Sequence, residues 1–452
     1  MDIFLAAHRE SPGPSRGPWR VLGSRLWQAL FGDSLLAKGG WSLLDQAIVS
    51  GTTLVTAALI GRTSGKFGMG IYVLAWSLVH FIRGVQEQVI FAPYMVYCSH
   101  RTGTRARWYA GSSLVHLTAF IAVAALALSI VAVVSWKWEA AFAELAWLLP
   151  VVIPPMMLRE FGRQYFFAHL QAAAATLLDG LVAAIQLSAL AMLWSCDGLN
   201  VNRVFAAMGI ASLVGSGSWL LLRRRAFQPR RRHAVVAWWH NWTFAKWALL
   251  SHLVGTTIPL LMPWILQLVH GEVVTGGFGA ATTVVGLASM MIMGLSRYIA
   301  PKAVHAFARF GWPGLRTFLV KAGALYLLVS GGFLVVASFG GEALVGIIVS
   351  DSGGSGTTMV FLAAALMATS IGMIAGNGLW AVDRPGDNFV ADCVGVIVTL
   401  AATVVLVPSW SAVGAAAAMF GGSFSATVTR LFVLRRVVLK LPAMEVSAGG
   451  VG

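Results

Sequence analysis

Three side chains able to carry charge or share a proton fall close together: His80, Arg83 and Glu87. Their spacing, i, i+3 and i+7, puts them on one face if the stretch is helical. Asp45 and Gln46 precede them. Both groups sit inside apolar runs, WSLLDQAIVSGTTLVTAALIG and FGMGIYVLAWSLVHFIRGVQEQVIFAP. A charge at membrane depth is costly, so it faces a water-filled path or an opposite charge. A guanidinium there can grip a phosphate through two parallel hydrogen bonds. Arg83 has that chemistry, and Gln46 and His80 can add neutral contacts. Asp45 or Glu87 can instead neutralise Arg83 and pin two helices together. At 1.5 Å per helical residue, Asp45 and Arg83 would differ by roughly 6 Å in depth, within an arginine's reach.

The elements that position these residues must be membrane helices. The chain has 452 residues, 58% hydrophobic and only 11% charged, with a mean hydropathy of +0.78. Soluble domains carry about 25% charged residues. Apolar runs of about 20 residues match a hydrocarbon core about 30 Å thick. They are too long and continuous for barrel strands, which alternate over about ten residues. About twelve spans are expected, at 39–61, 67–93, 108–135, 141–160, 170–195, 201–222, 242–269, 272–300, 317–340, 357–382, 387–408 and 411–434. The fourth contains Pro150, Pro154 and Pro155, and the seventh contains Pro259 and Pro263. These prolines predict broken or kinked helices, which can line a substrate path.

A weak internal repeat aligns Trp41 with Trp247, so that WSLLDQ meets WALLSH and Gly65-Lys66 meets Gly271-Glu272. Ala92-Pro93 then answers Ala300-Pro301. Parallel repeats of this kind mark transporters. The expected organisation is a cytoplasmic tail over 1–38, an N-lobe over 39–222, a basic linker over 223–241, a C-lobe over 242–436 and a cytoplasmic tail over 437–452. Within the first tail, Trp19, Leu22, Leu26 and Leu30 form the stripe of an interfacial helix. Arg and Lys crowd the side that holds both termini, whereas the other side receives only Arg62, Lys66, Lys137 and Arg203. That bias places both termini in the cytoplasm. In this count Arg159 and Arg163 are loop cations after the fourth span.

Further polar groups fall within the spans: His116, Asp179, Gln186, His252, Gln267, Asn377 and Asp392. Each can be a helix–helix hydrogen bond or a ligand contact. His252 matches Gln46 in the repeat. Arg297, near a span end, can meet a headgroup phosphate or snorkel. Asp45, Glu87, Asp179 and Asp392 are the acids available for gating or for proton or sodium coupling. The formal net charge of +15 reflects basic loops against anionic lipid rather than nucleic-acid binding. Cys98, Cys196 and Cys393 lack metal spacing and read as small core residues. The sequence holds no GxxxxGK[ST], HExxH or GxSxG motif, so neither direct ATP drive nor enzyme chemistry is indicated, and no cofactor is expected.

The segment from Trp41 through Asp45, Gln46, Ser50, Gly65, Phe67, Gly68 and Tyr72 resembles the start of bacterial polysaccharide flippases. These are the O-antigen and exopolysaccharide translocases of the multidrug/oligosaccharidyl-lipid/polysaccharide exporter superfamily. Thr53 stands where that group often has Asn. The resemblance implies two six-helix lobes around a central cavity of alternating access in the bacterial cytoplasmic membrane. It implies a polyprenyl-pyrophosphate-linked oligosaccharide as substrate, Arg83 as a pyrophosphate contact, and a polysaccharide polymerase and glycosyltransferases as partners. A multidrug exporter of the same fold, a major-facilitator antiporter and a non-transporting scaffold are the alternatives.

Overall fold

A computed structural model describes residues 35–98, 101–137 and 142–448. The expected interfacial helix of the N-terminal tail lies outside the described residues. Among those described, the chain is all helix. In order these are α1 (Leu35–Gln86), a π-helix (Glu87–Phe91), α2 (Ala92–Cys98), α3 (Gly103–Lys137), α4 (Ala143–Ala168), α5 (Ala172–Ser195) and α6 (Val201–Arg223). A 3-10 turn (Arg224–Ala226) leads to α7 (Arg231–His270), α8 (Glu272–Gly346), α9 (Ser355–Ala381) and α10 (Pro385–Ala448). At least nine of the described helices are long and apolar enough to span a bilayer. They show large apolar side chains outward, with Phe339 91%, Leu222 83% and Leu268 81% exposed. Only a lipid surround makes such a surface stable.

Helices as long as α8, at 75 residues, cannot be single spans. Drawn straight, α8 would run about 110 Å, several times the bilayer core. The long helices break where one residue leaves helical geometry: Gly65 (φ 62°) in α1, Gly311 (φ 60°) in α8 and Ser411 (φ 55°) in α10. Glycine has no Cβ to oppose a positive φ. Residues 48–56 and 72–83, on opposite sides of Gly65, line one cavity, so the arms of α1 lie side by side. Asp392 and Arg430, on opposite sides of Ser411, form an ion pair, so α10 also folds back on itself. A Cβ on Gly422 would lie 2.6 Å from the Gly395 carbonyl oxygen, which shows how closely its arms pack.

The internal repeat has a structural counterpart. Gly65 (φ 62°, ψ −163°) and Gly271 (φ 79°, ψ −174°) share one unusual backbone conformation. The contacts around them are reciprocal. A Cβ on Gly70 would lie 2.2 Å from the Glu272 carbonyl oxygen, and one on Gly276 would lie 1.8 Å from that of Lys66. Each partner pair obeys the offset that aligns Trp41 with Trp247. Lys66 Nζ also donates to Asp351 Oδ2 at 2.9 Å, and Arg62 Nε donates to the Ile347 carbonyl at 3.3 Å. The two halves are thus joined at this end by backbone crossings and exposed polar contacts.

Several expectations need correction. The fourth span runs to Ala168, and Pro150, Pro154 and Pro155 lie inside a single helix rather than breaking it. The seventh does bend, by 47° between Arg232–Thr256 and Ile258–His270, as its prolines predict. The helix of the seventh span begins at Arg231 rather than at 242. The cysteines are not core residues: Cys196 is exposed, and Cys98 and Cys393 are half-buried.

Candidate functional site

Six ionised side chains meet where α4 packs on α1 and α5. Asp45, on the first arm of α1, is 1% exposed and accepts from Arg163 Nη2 at 2.6 Å. Arg163 also places Nε 2.7 Å from Asp179 Oδ2, on α5, and Nη1 3.4 Å from Glu160 Oε1. Arg159, one turn earlier on α4, donates to Asp179. Arg83, on the second arm of α1, places Nη2 3.0 Å from Glu160 Oε1. Gln164 completes Glu160 with a 2.9 Å hydrogen bond.

Part of this convergence is local to α4. Arg159, Glu160 and Arg163 follow one another within a helical turn or so, and therefore share a side of α4. Buried charges are tolerated only in pairs, and three guanidinium groups here meet three carboxylates. Exposure divides the signs. The carboxylates are almost sealed, at 1%, 7% and 0% for Asp45, Glu160 and Asp179. The guanidinium groups keep an open face, at 30% for Arg83 and 19% for Arg159. Acids hold the arginines from behind.

What those open faces look into is a cavity of about 350 Å³. Arg83, Arg159 and His80 line it, with Thr52, Thr56 and Gln186, and Thr282 and Met290 of α8 close it. A second chamber of about 560 Å³ lies between α7, α8, α9 and α10 and shares Trp76, His80 and Thr282 with the first. His80 stands edge-on to Trp76, with ring centroids 5.0 Å apart, at the boundary of the chambers. Asp392 and Arg430 line the second chamber as an ion pair, and Arg430 Nε also donates to Asn388 at 3.2 Å. The lining is mixed: apolar walls, hydroxyls and a few charges. Such a lining suits an amphipathic ligand. Among the described residues no cluster of His, Cys, Asp or Glu could hold a metal ion.

The expected site residues are only partly brought together. Arg83, His80 and Asp179 share the first chamber, and Asp45 stands behind them. Arg83 pairs with Glu160, not with Asp45 or Glu87, because α4 lays Glu160 against the second arm of α1 while Asp45 is held by Arg163 and Glu87 is exposed. Glu87 is exposed at the start of the π-helix and has no ion pair among the described residues. Gln46 is tied to Ser50 at 3.3 Å and to Met290 Sδ at 3.1 Å. His252 packs its ring on Gly84, where a Cβ would lie 2.2 Å from Nε2, and hydrogen-bonds Thr256 at 3.1 Å. It is thus a packing residue beside Arg83 rather than a chamber wall. Asp392 belongs to the second chamber. The side chain of Arg297 lies outside the described residues. Arg159, Glu160 and Arg163 were missed as site residues; the signal for them was an acid flanked by two arginines at one end of a span.

No protein-family model and no curated protein matches the sequence. Solved structures do. An inward-facing MATE-family multidrug resistance transporter of the MOP superfamily superposes with a TM-score of 0.67, at 15% identity, over 93% of this chain and 99% of that one. The lipid II flippase MurJ, in an inward closed conformation, superposes with a TM-score of 0.67, at 11% identity, over 87% of each chain. A MOP superfamily transporter from Pyrococcus furiosus, described as having a binding pocket of reversed polarity, gives 0.58 at 15% identity, over 89% of this chain and 95% of that one. These are membrane transporters, not enzymes, and the chain has their fold.

Proposed function

We propose that this protein is an alternating-access transporter that moves a lipid-linked oligosaccharide with a phosphate or diphosphate head across the bacterial cytoplasmic membrane. One observation carries the reading: Arg83 and Arg159 turn open faces into the first chamber while their carboxylate partners are sealed behind them. An anion entering the first chamber meets the two guanidinium groups, and Asp179, the one acid of the cluster that lines it, has no exposed side-chain surface. The preorganised guanidinium groups can grip phosphate oxygens bidentately. The hydroxyl-bearing second chamber is open to a glycan. Both termini lie in the cytoplasm in this reading, and residues 39–222 and 242–436 act as two lobes moving about the repeat axis. A polymerase and glycosyltransferases are the partners such a substrate requires, and an ion gradient or consumption of product supplies the drive.

A cation-coupled multidrug exporter is the second reading. It is favoured by Asp392, whose side chain is 39% exposed in the second chamber. Deleting the gene and extracting polyprenyl-linked material separates the two. The flippase predicts lipid-linked oligosaccharide accumulating on the cytoplasmic side and loss of surface polysaccharide. Unchanged lipid-linked pools with sensitivity to cationic dyes would overturn it and favour the exporter.

A further inference from the structure

A third cavity, of about 520 Å³, lies away from the two central chambers, where the starts of α3 and α7 meet. Arg101, Arg105 and Arg232 line it, with His233, His240 and Trp108. No acid lines it, and among the described residues none of the three arginines has an ion pair. Three cations left uncompensated around one hollow repel each other unless an anion arrives. The helices add to this field. Arg105 and Trp108 lie in the first turns of α3, and Arg232 and His233 in the first turn of α7, where free backbone N–H groups and the helix dipole favour negative charge.

The site is built rather than loose. Arg101 lies 3.9 Å over the Tyr109 ring and donates to the Tyr97 carbonyl at 2.8 Å. Tyr109 Oη donates to Asn241 Oδ1 at 2.9 Å, and His116 Nε2 lies 2.8 Å from the Ala234 carbonyl. These bonds hold α7 against α3 and fix the pocket's shape. Next to the cations, α7 turns an apolar strip outward: Val235, Val236 and Trp239 are 54%, 66% and 66% exposed, and Trp238 stacks on Trp242 at 5.9 Å. Tryptophan-rich segments of this kind sit at headgroup depth. A cationic pocket that continues into an apolar strip fits an ester-linked phosphate carrying acyl chains better than a free anion.

We infer that the pocket between α3 and α7 binds the phosphodiester headgroup of an anionic membrane lipid, which bridges the first half of the chain to the start of the second. The lipid is a clamp and not the cargo, so the site is independent of what the central chambers carry. Its occupancy holds α7 to α3 and couples lipid composition to the motion of the halves.

Native mass spectrometry of the full chain in detergent tests this with phosphatidylglycerol and phosphatidylcholine of identical acyl chains. Wild type is expected to retain phosphatidylglycerol preferentially. Arg101→Gln with Arg232→Gln should cut that preference by about 30-fold, the worth of two basic contacts at an anionic surface. Arg101→Lys with Arg232→Lys should keep most of it. Unaltered preference in a Gln variant that melts like wild type would overturn the assignment. Should the Gln variant fail to fold, the Lys variant and Arg105→Gln decide: equal retention of both lipids by the Lys variant, or no loss in Arg105→Gln, counts against the site. If inorganic phosphate raises the melting temperature as much as phosphatidylglycerol does, and the Arg101→Gln/Arg232→Gln variant loses that rise, the ligand of this pocket is a soluble anion and the lipid assignment falls.

Discussion

Asp45 and Arg163 are joined by a 2.6 Å hydrogen bond across 118 residues of chain, and both are buried. The bond ties the first arm of α1 to α4 and fixes the guanidinium that also touches Asp179 and Glu160. Arg163 keeps Asp179 and Glu160 when Asp45 is removed, but three guanidinium groups then face two carboxylates among nearly sealed side chains, and an uncompensated buried charge costs about 3–5 kcal/mol. Asp45→Ala should therefore lower abundance and melting temperature sharply. Combining it with Arg163→Met should recover part of the loss. A double variant as unstable as the sum of the single changes would show that the two groups act independently.

Arg83 should behave differently. Glu160 keeps Arg163 and Gln164 when Arg83 is removed, and Arg83 is the most exposed of the three guanidinium groups at 30%, so water reaches the charge left unbalanced. Arg83→Ala is expected to insert and accumulate normally yet lose transport by about 10- to 100-fold, the worth of a charge-assisted bond or two. Arg83→Lys should recover only part, since a lysine cannot offer two parallel bonds. Normal export by Arg83→Ala at normal protein levels would remove it from the mechanism.

Asp351 gives a pH signature. The hydrogen bond from Lys66 and its charge hold the Asp351 carboxyl below the usual carboxylate range. The contact is complete above the unfolded-chain value, about 3.9, and is lost as pH falls through the lower folded-state value. Wild type should melt above Asp351→Asn at pH 7, and the gap should close in strong acid. A gap that persists there would assign it to something other than this ion pair. The effect should be small and salt-sensitive, because Asp351 is 78% exposed.

The glycine crossing should not tolerate a methyl group. At Gly276 a Cβ would fall 1.8 Å from a backbone oxygen, which has no rotamer to escape into. Gly276→Ala is expected to part the halves at that end, exposing a cysteine placed at Lys66 to a membrane-impermeant thiol reagent. Gly277→Ala, with open space around its Cβ, is the control. Equal labelling of the two variants would count against a tight crossing.

Much of the fold was legible because apolar runs and repeat spacing are read directly from sequence. Gly65 and Gly271 were aligned by spacing alone, and they share a backbone conformation. The site was legible only in part. Arg83, Asp45 and Asp179 stood out as charges inside apolar runs. Arg159, Glu160 and Arg163 did not, because a span of about 20 residues begun at 141 ends at 160, and the arginines then count as loop cations, whereas the helix runs on to Ala168. Partner choice was illegible for a further reason. Which acid meets Arg83 depends on how α4 lies against α1, and no local pattern encodes that.

The crossing of Gly70 on Glu272 and Gly276 on Lys66 brings backbone against backbone with no side chain interposed. Surfaces without interlocked knobs can roll without first being prised apart, so in the proposed transport cycle this crossing serves as the fulcrum. Arg83 sits far along the lever, about 25 Å from Lys66 at the helical rise. A roll of about 10° at the crossing would swing Arg83 by roughly 4 Å at that reach. Small rotations where the chains touch become displacements as wide as a phosphate group where the charges lie.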